Sequence, residues 1–291
     1  MSHQSKIALF GATGQVGSAI RLLRADVEVI KVRMDQPPEE MIRELSLLNP
    51  VTIINAAAFT NVDAAEDLPQ KTLAVNSAAV MTLVKFCQDN NCKFIHFSSD
   101  YVFSGDSHQA ADENAGCSPK NVYGWSKLLA DQVILNSKIN ATIIRPSWVM
   151  SPTHQNFVTK ILALGLERDS LEVVADQIGR PTSANLLAHI AIELLENKTS
   201  PPLMHVCDGG EPTNWFEIAR YAIKTAQQMG YTGISSNDIE PVSSERYPTT
   251  AQRPRNSLLD CALFDRSIGM PRAHWKDTVY EIVEKASHGW A

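Results

Sequence analysis

Tyr123 and Lys127 are spaced to carry acid–base chemistry on a carbonyl substrate. They stand four residues apart in the run NVYGWSK, 121–127. On a helix this spacing places the phenol and the ammonium side by side. A buried ammonium beside a phenol stabilises the phenolate and lowers the phenol pKa from about 10, so that Tyr123 could give a proton to a carbonyl oxygen near neutral pH. Such i,i+4 pairs are common on helix surfaces, so the prediction of a general acid depends on the surrounding elements.

A glycine-rich turn follows the first apolar segment of the chain. Residues 6–10 (KIALF) are typical of a buried parallel strand, and 11–17 (GATGQVG) lead into a helical pattern. Gly11 permits the tight turn, Gly14 lets the backbone approach a pyrophosphate, and Gly17 allows close packing of helix on strand. The helix N-terminus adds N–H groups and the positive end of its dipole. The turn therefore predicts dinucleotide binding, although the spacing is G-x-x-G-x-x-G and not G-x-G-x-x-G.

Composition excludes several classes of protein. The formal net charge is -6 and the pI about 5.8, which argues against a nucleic-acid partner. The chain has 5 cysteines with no C-x-x-C spacing, which predicts reduced thiols and neither a disulfide framework nor a zinc or other metal site. Without a signal peptide or an apolar run of about 18 residues, the sequence predicts a cytoplasmic protein that does not enter membranes.

Short apolar strands alternate with amphipathic helices after the glycine turn. This pattern predicts the α/β fold class, a Rossmann doubly wound parallel sheet covered by helices on both faces. The predicted strands are Lys6 to Phe10, Val27 to Val32, Val51 to Asn55, Lys93 to Phe97, Ala141 to Arg145 and Leu203 to Cys207. The predicted helices are the one after the glycine turn, Pro38 to Leu48, Leu68 to Asn90, Tyr123 to Leu135 and Ser183 to Glu196. Right-handed crossovers would bring Asn55 and Ser98 to the same edge as the glycine turn.

The regular alternation weakens from about Ser147, where prolines and short elements become frequent. This change predicts a smaller C-terminal substrate-binding subdomain, with a return to the main sheet near 183–207. We therefore expect 1–148 plus 183–207 to form the dinucleotide-binding domain. The sugar-nucleotide-binding subdomain would comprise 149–182 plus 208–291.

At this point the motifs carry a family resemblance that runs nearly the whole chain. The sequence resembles the extended short-chain dehydrogenase/reductases, and within them the dTDP-4-dehydrorhamnose reductase family. The similar segments are GATGQVG (11–17), NAAAFTNVDAAE (55–66), FSSDYVF (97–103), YGWSK (123–127), RPSW (145–148), NFV (156–158), DQIGRPT (176–182) and YPTTAQRPRNSLLD (247–260). The chain departs from the family at Ala130-Asp131, where Gly-Glu is common, at Pro146, where Thr is common, and in its short segment between the second and third strands.

The resemblance implies NAD(P)H-dependent reduction of the C4 ketone of a nucleotide-linked 4-keto-6-deoxy sugar. The implied substrate is dTDP-4-dehydrorhamnose, converted to dTDP-rhamnose for cell-surface polysaccharide synthesis. Tyr123 would be the acid, Lys127 would bind the cofactor ribose, and Ser99 would hydrogen-bond the carbonyl oxygen. The other implied cofactor-binding residues are Gly11, Thr13, Gly14, Gln15, Val16, Gly17, Lys31, Arg33, Ala57, Ala58, Thr60 and Ser98. The implied substrate-binding residues, besides Ser99, are Asp100, Trp148, Arg253 and Arg255. A homodimer is compatible with the resemblance.

Lys31 and Arg33 follow the second strand, where an acidic residue would otherwise bind the ribose diol of NAD. They predict a preference for NADPH, with NAD as the alternative if Asp35 reaches the ribose. Arg253 and Arg255 could instead belong to a solvated turn. His96, flanked by apolar residues, is predicted to be a core residue and not a ligand.

Two other functions compete with the reductase. A sugar-nucleotide epimerase or dehydratase shares the glycine turn and the Tyr-Lys pair. Dehydratases of this kind, however, have Asp-Glu after the hydroxyl residue, whereas Asp100-Tyr101 follows Ser99 here. A non-catalytic regulatory subunit is the second alternative, because the β subunit of methionine adenosyltransferase is similar to the same family. Net oxidation of the nicotinamide cofactor with a 4-keto sugar nucleotide would separate all three.

Overall fold

The structure is a computed structural model that describes residues 6–197 and 200–288. Its strands are β1 (Ile7–Phe10), β2 (Glu28–Val29), β3 (Thr52–Asn55), β4 (Lys93–Phe97), β5 (Ala141–Pro146), β6 (Val149–Met150), β7 (Leu171–Val174), β8 (Ile178–Gly179), β9 (Thr182–Ser183), β10 (Leu203–Val206), β11 (Thr213–Asn214) and β12 (Ile239–Val242). Its α-helices are α1 (Gln15–Leu23), α2 (Pro38–Leu48), α3 (Val62–Asp67), α4 (Pro69–Leu73), α5 (Ala79–Asn90), α6 (Val122–Asn136), α7 (Phe157–Glu167), α8 (Ala184–Glu196), α9 (Trp215–Gln228), α10 (Ala262–Ser267) and α11 (Trp275–Ser287). A π-helical turn, Ala74–Ala78, joins α4 to α5.

A six-stranded parallel sheet in the order β10-β5-β4-β3-β1-β2 forms the centre of the molecule. The strands are almost continuously apolar because helices cover both faces. One core packs α1 and α8 against the sheet around Ile20 and Leu187. The other packs α2, α5 and α6 around Met41, Leu83 and Ile134. The predicted doubly wound parallel sheet is confirmed.

Two predicted elements differ from the structure. The second strand is only Glu28–Val29 and not Val27 to Val32, because it lies at the sheet edge and pairs with β1 alone. The helix predicted over Leu68 to Asn90 is divided by the π-helical turn. There Asn76 is buried and hydrogen-bonds Phe59. A π-helical turn within an α-helix often marks a functional site.

A further core lies outside the main sheet. It joins α7, α9 and α11 to the two-stranded parallel pair β7–β12, around Leu162, Ile218 and Val279. Phe264 of α10 instead packs into the main-sheet core with α8 and β10. Between 6 and 197 and between 200 and 288, the structure contains no helix long and apolar enough to cross a membrane.

The carboxyl ends of β1, β3 and β4 meet at one edge of the sheet, as right-handed parallel topology requires. Gly11 follows β1 with φ +76, and a Cβ there would lie 2.5 Å from the Ala57 nitrogen. A Cβ on Gly17 would lie 2.1 Å from the Gly11 carbonyl oxygen. Both glycines are therefore required for α1 and the segment after β3 to approach the turn.

Candidate active site

The glycine turn forms an open cradle at the start of α1. Gly14, which has no side chain to cap the helix, stands at its N-terminus, and the atom nearest to a Cβ built there is the Gly11 carbonyl oxygen at 3.5 Å. This ordinary contact distance means that Gly14 is not required by packing within the protein. A glycine at an open helix N-terminus suits a phosphate group approaching the backbone. The backbone of Gly14, Gln15 and Val16 fits a dinucleotide pyrophosphate.

A cavity of about 460 Å³ continues from this turn along the carboxyl end of β2. Of the predicted cofactor residues, the structure places Gly11, Thr13, Lys31, Arg33, Ala57 and Ala58 in its lining. Asp35 also lines the cavity and pairs with Arg33 through two hydrogen bonds of 2.9 Å and 2.6 Å. The Asp35 carboxylate therefore fixes the position of the Arg33 guanidinium.

Lys71 lines the same cavity, although the sequence analysis did not identify it. It comes from α4, and its Nζ lies 5.8 Å from the centre of the Phe59 ring. Its positive charge helps lower the pKa of Asp35, after the larger effect of Arg33. Lys31, Arg33 and Lys71 together make this end of the cavity basic. Helical periodicity gave no sign of Lys71, because its position depends on how α4 packs against α3 and α6.

Ser99, Asp100 and Tyr123 come together beyond the end of β4. The Ser99 hydroxyl is close enough to the Tyr123 phenol to act on its pKa, and it donates to Asp100 Oδ1 at 3.0 Å. All three side chains are buried. Burial raises the pKa of Asp100 to about 6, against its hydrogen bonds to serine hydroxyls. The predicted hydroxyl–phenol pair is therefore assembled by the fold.

Lys127 lies one helical turn beyond Tyr123 and is 1% exposed. Its Nζ donates to the Phe97 carbonyl oxygen at 2.7 Å and lies 3.3 Å from His96 Nε2. Burial lowers the pKa of Lys127 to about 8, although Asp131 opposes this shift. His96 is in the core as predicted, but it also contacts Lys127.

The predicted lowering of the Tyr123 pKa was wrong for the cofactor-free protein. Burial raises this pKa to about 12, although Ser99 opposes the shift. The physical reason is that Tyr123 loses its hydration, while the Lys127 amine points to the Phe97 carbonyl and His96. Helical spacing correctly predicted which residues are neighbours but not the balance of desolvation and charge.

Helix α6, which carries Tyr123 and Lys127, is fixed at its first turn. The Asn121 side chain caps it by accepting from the Gly124 N–H at 2.8 Å. A Cβ on Gly124 would lie 2.2 Å from the Tyr101 carbonyl oxygen, so glycine permits close approach to the Ser99 segment. Asn76 Nδ2 donates to the Ser126 hydroxyl at 2.9 Å. The π-helical turn therefore holds α6 at Ser126, between Tyr123 and Lys127.

A buried ion pair lies behind the site. Asp131 Oδ2 accepts from Arg145 Nε at 2.9 Å and from the Ser98 hydroxyl at 2.9 Å. Burial raises the pKa of Asp131, with Arg145 opposing the shift. The Ser98 hydroxyl is thus engaged within the protein, so its predicted cofactor contact would have to involve its backbone or replace this bond. The departure from the family's Glu to Asp131 retains the carboxylate.

Trp148 stacks on Trp215, with ring centroids 4.0 Å apart and planes at 23°. Its backbone has φ 47, a left-handed conformation that is uncommon outside glycine. A Cβ on Gly179 would lie 2.7 Å from the indole Cζ2, so glycine there makes room for the ring. Trp215 in turn donates to Gln177 Oε1 at 3.1 Å. The predicted contact of Trp148 with the sugar stays a prediction, and Trp215 is an aromatic neighbour that the sequence analysis missed.

Of the remaining predicted site residues, some are paired within the protein and others are exposed. Arg253 pairs with Asp63 of α3 through hydrogen bonds of 3.1 Å and 2.6 Å, which joins the C-terminal segment to the loop after β3. Arg255 is exposed and lies 3.3 Å from Glu245. Thr60 is exposed, and Gln15 Nε2 donates to the Val149 carbonyl at 3.2 Å. A diphosphate would therefore have to share Arg253 with Asp63.

The described residues contain no group of three or more His, Cys, Asp or Glu side chains arranged to hold a metal ion. The expectation of no metal site stays a prediction.

Comparison with known proteins places this geometry in a family. The model described as RmlD substrate binding domain matches residues 5–288. The dTDP-4-dehydrorhamnose reductase of Salmonella typhimurium is 32% identical over 283 residues, covering 93% of this chain and 94% of the relative. The spore coat polysaccharide biosynthesis protein SpsK of Bacillus subtilis is 32% identical, with 97% and 98% covered. The Bacillus anthracis dTDP-4-dehydrorhamnose reductase structure in complex with NADP has a TM-score of 0.87 at 26% identity, covering 97% of this chain and 99% of that one. The chain therefore belongs to the RmlD substrate binding domain family, whose dTDP-4-dehydrorhamnose reductases are its relatives.

Proposed function

We propose that this protein uses NADPH to reduce the C4 ketone of a dTDP-linked 4-keto-6-deoxy sugar, converting dTDP-4-dehydrorhamnose to dTDP-rhamnose for polysaccharide synthesis. The observation that carries the proposal is the buried contact between Ser99 and the Tyr123 phenol, one helical turn from Lys127 and at the same sheet edge as the glycine turn. The names of the relatives supply the substrate class.

Tyr123 would act as the general acid. Reduction of a ketone creates an alkoxide, which needs a proton and a hydrogen-bond donor at the carbonyl oxygen. Tyr123 would give the proton, and the Ser99 hydroxyl would turn from Asp100 Oδ1 to donate a hydrogen bond to the same oxygen. With a pKa of about 12 the phenol is protonated at neutral pH, and it would give its proton to the alkoxide as that stronger base develops.

NADPH would lie along the glycine turn and the basic cavity. Its pyrophosphate would meet the backbone of Gly14 to Val16, and its ribose phosphate would face Lys31, Arg33 and Lys71. The bound cofactor supplies the hydride. Lys127 would hold the ribose hydroxyls near the nicotinamide. The Bacillus anthracis relative that contains NADP supports this choice of cofactor.

Different parts of the chain would bind the cofactor and the sugar nucleotide. Residues 1–148 plus 183–207 would bind the cofactor, and 149–182 plus 208–291 would bind the sugar nucleotide. The separate core of α7, α9 and α11 supports this division, while Phe264 shows that α10 also contacts the main sheet. The aromatic group of Trp148, Phe157 and Trp215 would form the sugar side of the cleft.

A cytoplasmic location is part of the proposal. A homodimer stays part of the proposal.

Tyr123→Phe tests the reaction. The variant keeps the ring but loses the acidic proton, so kcat should fall by about 10²-fold or more while NADPH affinity changes little. Steady-state kinetics with the dTDP-4-keto sugar and fluorescence titration of NADPH would measure the two effects. Tyr101→Phe is the matched control, because its ring contacts that of Tyr123 at 5.6 Å but is assigned no proton transfer.

An unchanged kcat in Tyr123→Phe would remove the proposed acid. Turnover of the sugar nucleotide without net NADPH oxidation would favour an epimerase or dehydratase. Cofactor binding without any turnover would favour the regulatory subunit.

A further inference from the structure

His154 lies in the loop between β6 and α7, and its ring contacts the glycine turn. Its Nε2 lies 3.0 Å from the Thr13 carbonyl oxygen, although the two residues are 141 positions apart in the chain. The Ser18 hydroxyl, in the first turn of α1, lies 3.5 Å from the same nitrogen. The loop follows Trp148 and β6 directly. The contact therefore joins the part of the chain assigned to the sugar nucleotide to the turn assigned to the cofactor.

The Thr13 carbonyl decides which ring atom of His154 donates. A carbonyl oxygen can only accept, so Nε2 carries a hydrogen and donates it to Thr13. The other nitrogen, Nδ1, lies 2.9 Å from the Thr153 hydroxyl and 3.3 Å from the Ser151 hydroxyl. Hydroxyls can donate or accept, so they suit Nδ1 with or without a hydrogen. The bond to Thr13 is therefore compatible with both the neutral ring and the imidazolium.

This bond restrains the peptide unit at the centre of the glycine turn. The N–H of that unit, from Gly14, donates to the Gly11 carbonyl oxygen at 3.0 Å. Its carbonyl, from Thr13, accepts from His154 at 3.0 Å. Because both ends of the peptide unit are held, its plane cannot rotate freely, and the next N–H groups at the start of α1 keep their direction. These are the groups that suit a phosphate.

Asn156 holds the loop that presents His154. Its side-chain oxygen accepts from the N–H groups of Val158 at 3.0 Å and Thr159 at 3.3 Å, which caps α7. Its Nδ2 donates to the carbonyl oxygens of Ser151 at 2.7 Å and His154 at 3.0 Å. One side chain therefore begins α7 and closes the loop before it. Asn156 is the first residue of the NFV motif, to which the sequence analysis assigned no role.

We propose that His154 is a positioning residue that holds the glycine turn in the conformation that binds the cofactor pyrophosphate, and that Asn156 positions His154. The inference rests on the proposed placement of the pyrophosphate against the backbone of Gly14 to Val16. A turn that already has its bound conformation loses less conformational entropy on binding, so the bond from His154 increases affinity for the cofactor. This role requires no contact between His154 and the cofactor.

Ligands that contain or lack the pyrophosphate separate this role from general damage to the cavity. His154→Leu removes the donor, so the dissociation constants of NADPH, NADH and ADP-ribose should all increase by about 5-fold to 10-fold, the scale for one lost hydrogen bond. The dissociation constant of 2′-AMP should not change, because 2′-AMP has no pyrophosphate. Fluorescence titration would measure the two dinucleotides, and displacement of NADPH would measure ADP-ribose and 2′-AMP.

His154→Gln and His189→Leu are the controls. Gln carries an amide N–H that can replace Nε2–H, so His154→Gln should recover most of the affinity lost in His154→Leu. His189 contacts the Asn185 carbonyl at 2.8 Å on the exposed face of α8, so His189→Leu should change none of the constants. If 2′-AMP binding weakens as much as ADP-ribose binding in His154→Leu, or if His154→Gln recovers nothing, positioning by the Nε2 hydrogen is contradicted.

Asn156→Asp tests the second part of the proposal. The carboxylate keeps the cap of α7 but cannot donate to the two loop carbonyls. NADPH and ADP-ribose should bind about 3-fold to 10-fold more weakly, while the urea midpoint of unfolding stays near that of the wild type. Combining Asn156→Asp with His154→Leu should weaken binding no further than His154→Leu alone, because the two residues act through one contact. Additive losses would contradict the role of Asn156.

None of these measurements requires turnover. Wild-type affinity for every ligand in a folded His154→Leu protein would overturn the proposal. A wild-type protein that binds NADPH but not ADP-ribose would overturn the pyrophosphate placement and the inference with it. If Tyr123→Phe instead reduces ketone normally, the proposed acid fails, and the expectations for His154 and Asn156 stand.

Discussion

At the residue scale, chemistry depends on what each polar side chain contacts inside the fold. Tyr123 and Lys127 have the spacing expected of a phenol–amine pair, yet burial moves their pKa values in opposite directions, towards about 12 and about 8. Both shifts favour the uncharged form, as desolvation does for an acid and a base alike. At neutral pH Tyr123 is therefore a protonated phenol and Lys127 is still mostly an ammonium.

Trp148 provides a residue-scale prediction for the sugar pocket. Trp148→Ala should raise KM for the sugar nucleotide and lower kcat/KM by about 5-fold to 100-fold, the scale for loss of a buried aromatic contact. The NADPH dissociation constant should stay near that of the wild type. Steady-state kinetics and cofactor titration would measure these values.

Gly179→Ala is a second probe of the same pocket. The added methyl would approach the Trp148 ring at 2.7 Å, so the indole must move. A similar rise in KM is expected without loss of the indole. Wild-type kinetics in both variants would show that Trp148 does not contact the sugar.

At the element scale, the segments that follow the strands line the cavity in which we propose that the cofactor binds. The end of β2 supplies Lys31 and Arg33, and α4 adds Lys71 from the other side of the same cavity. The pair formed by Arg33 and Asp35 keeps an acidic group next to the basic ones. The three cations match a ribose phosphate, whereas an unpaired carboxylate would be needed for a ribose diol.

This arrangement predicts that Lys71→Ala lowers the preference for NADPH. The ratio of kcat/KM for NADPH to that for NADH should fall by about 10-fold, mainly through KM for NADPH, because one charge contact to the phosphate is lost. Arg33→Ala should act in the same direction. Lys85→Ala is the control, because Lys85 pairs with Asp89 on the exposed face of α5 and does not line the cavity. A ratio unchanged in both test variants would mean that Arg33 and Lys71 face solvent when NADPH binds.

At the scale of the whole molecule, a buried polar network joins elements that are distant in sequence around the main sheet. Arg145 of β5 contacts Asp131 of α6 and His205 of β10, and His205 contacts Ala111 in a long connection. Burial and the Arg145 charge lower the pKa of His205 to about 4. His205 must therefore gain a proton more readily in the unfolded chain than in the folded one.

The contribution of His205 to the free energy of unfolding should fall as pH decreases from 6.5 towards about 4. The folded pKa of His205 lies below its ordinary value of 6.5, so its contribution is fully present above 6.5 and is lost as pH falls towards about 4. Between about pH 7.5 and about pH 5 this group should account for about 2 kcal/mol of lost unfolding free energy. Urea unfolding of the wild type and His205→Phe at both pH values would measure it.

The loss of unfolding free energy between about pH 7.5 and about pH 5 should be smaller in His205→Phe than in the wild type, by about 2 kcal/mol. Asp100 and Asp208, whose pKa values burial raises to about 6, act with the opposite sign. They remain in both proteins and cancel in the comparison. An identical loss in the two proteins would show that His205 is not the group responsible.

The sequence by itself determined the elements and the chemistry that they present. Apolar runs, the glycine turn and helical periodicity predicted the main-sheet strands, with the edge strand too long, and the helices that cover them. They also predicted that Asn55 and Ser98 share an edge of the sheet with the glycine turn. These features follow from local rules, because strand and helix periods and the sterics of glycine act within a few residues. The family resemblance added the roles expected of these residues.

Tertiary structure alone decided which groups the polar side chains contact and in which direction their pKa values shift. Arg253 contacts Asp63 and Lys71 lines the cofactor cavity because distant segments pack together, and neither contact has a periodic signal in the chain. The pKa of Tyr123 rises because other elements remove its water, and Lys127 points to Phe97 and His96 because β4 lies beneath α6. Desolvation and charge pairing depend on every group that surrounds a side chain, so they are properties of the assembled fold and not of its spacing in sequence.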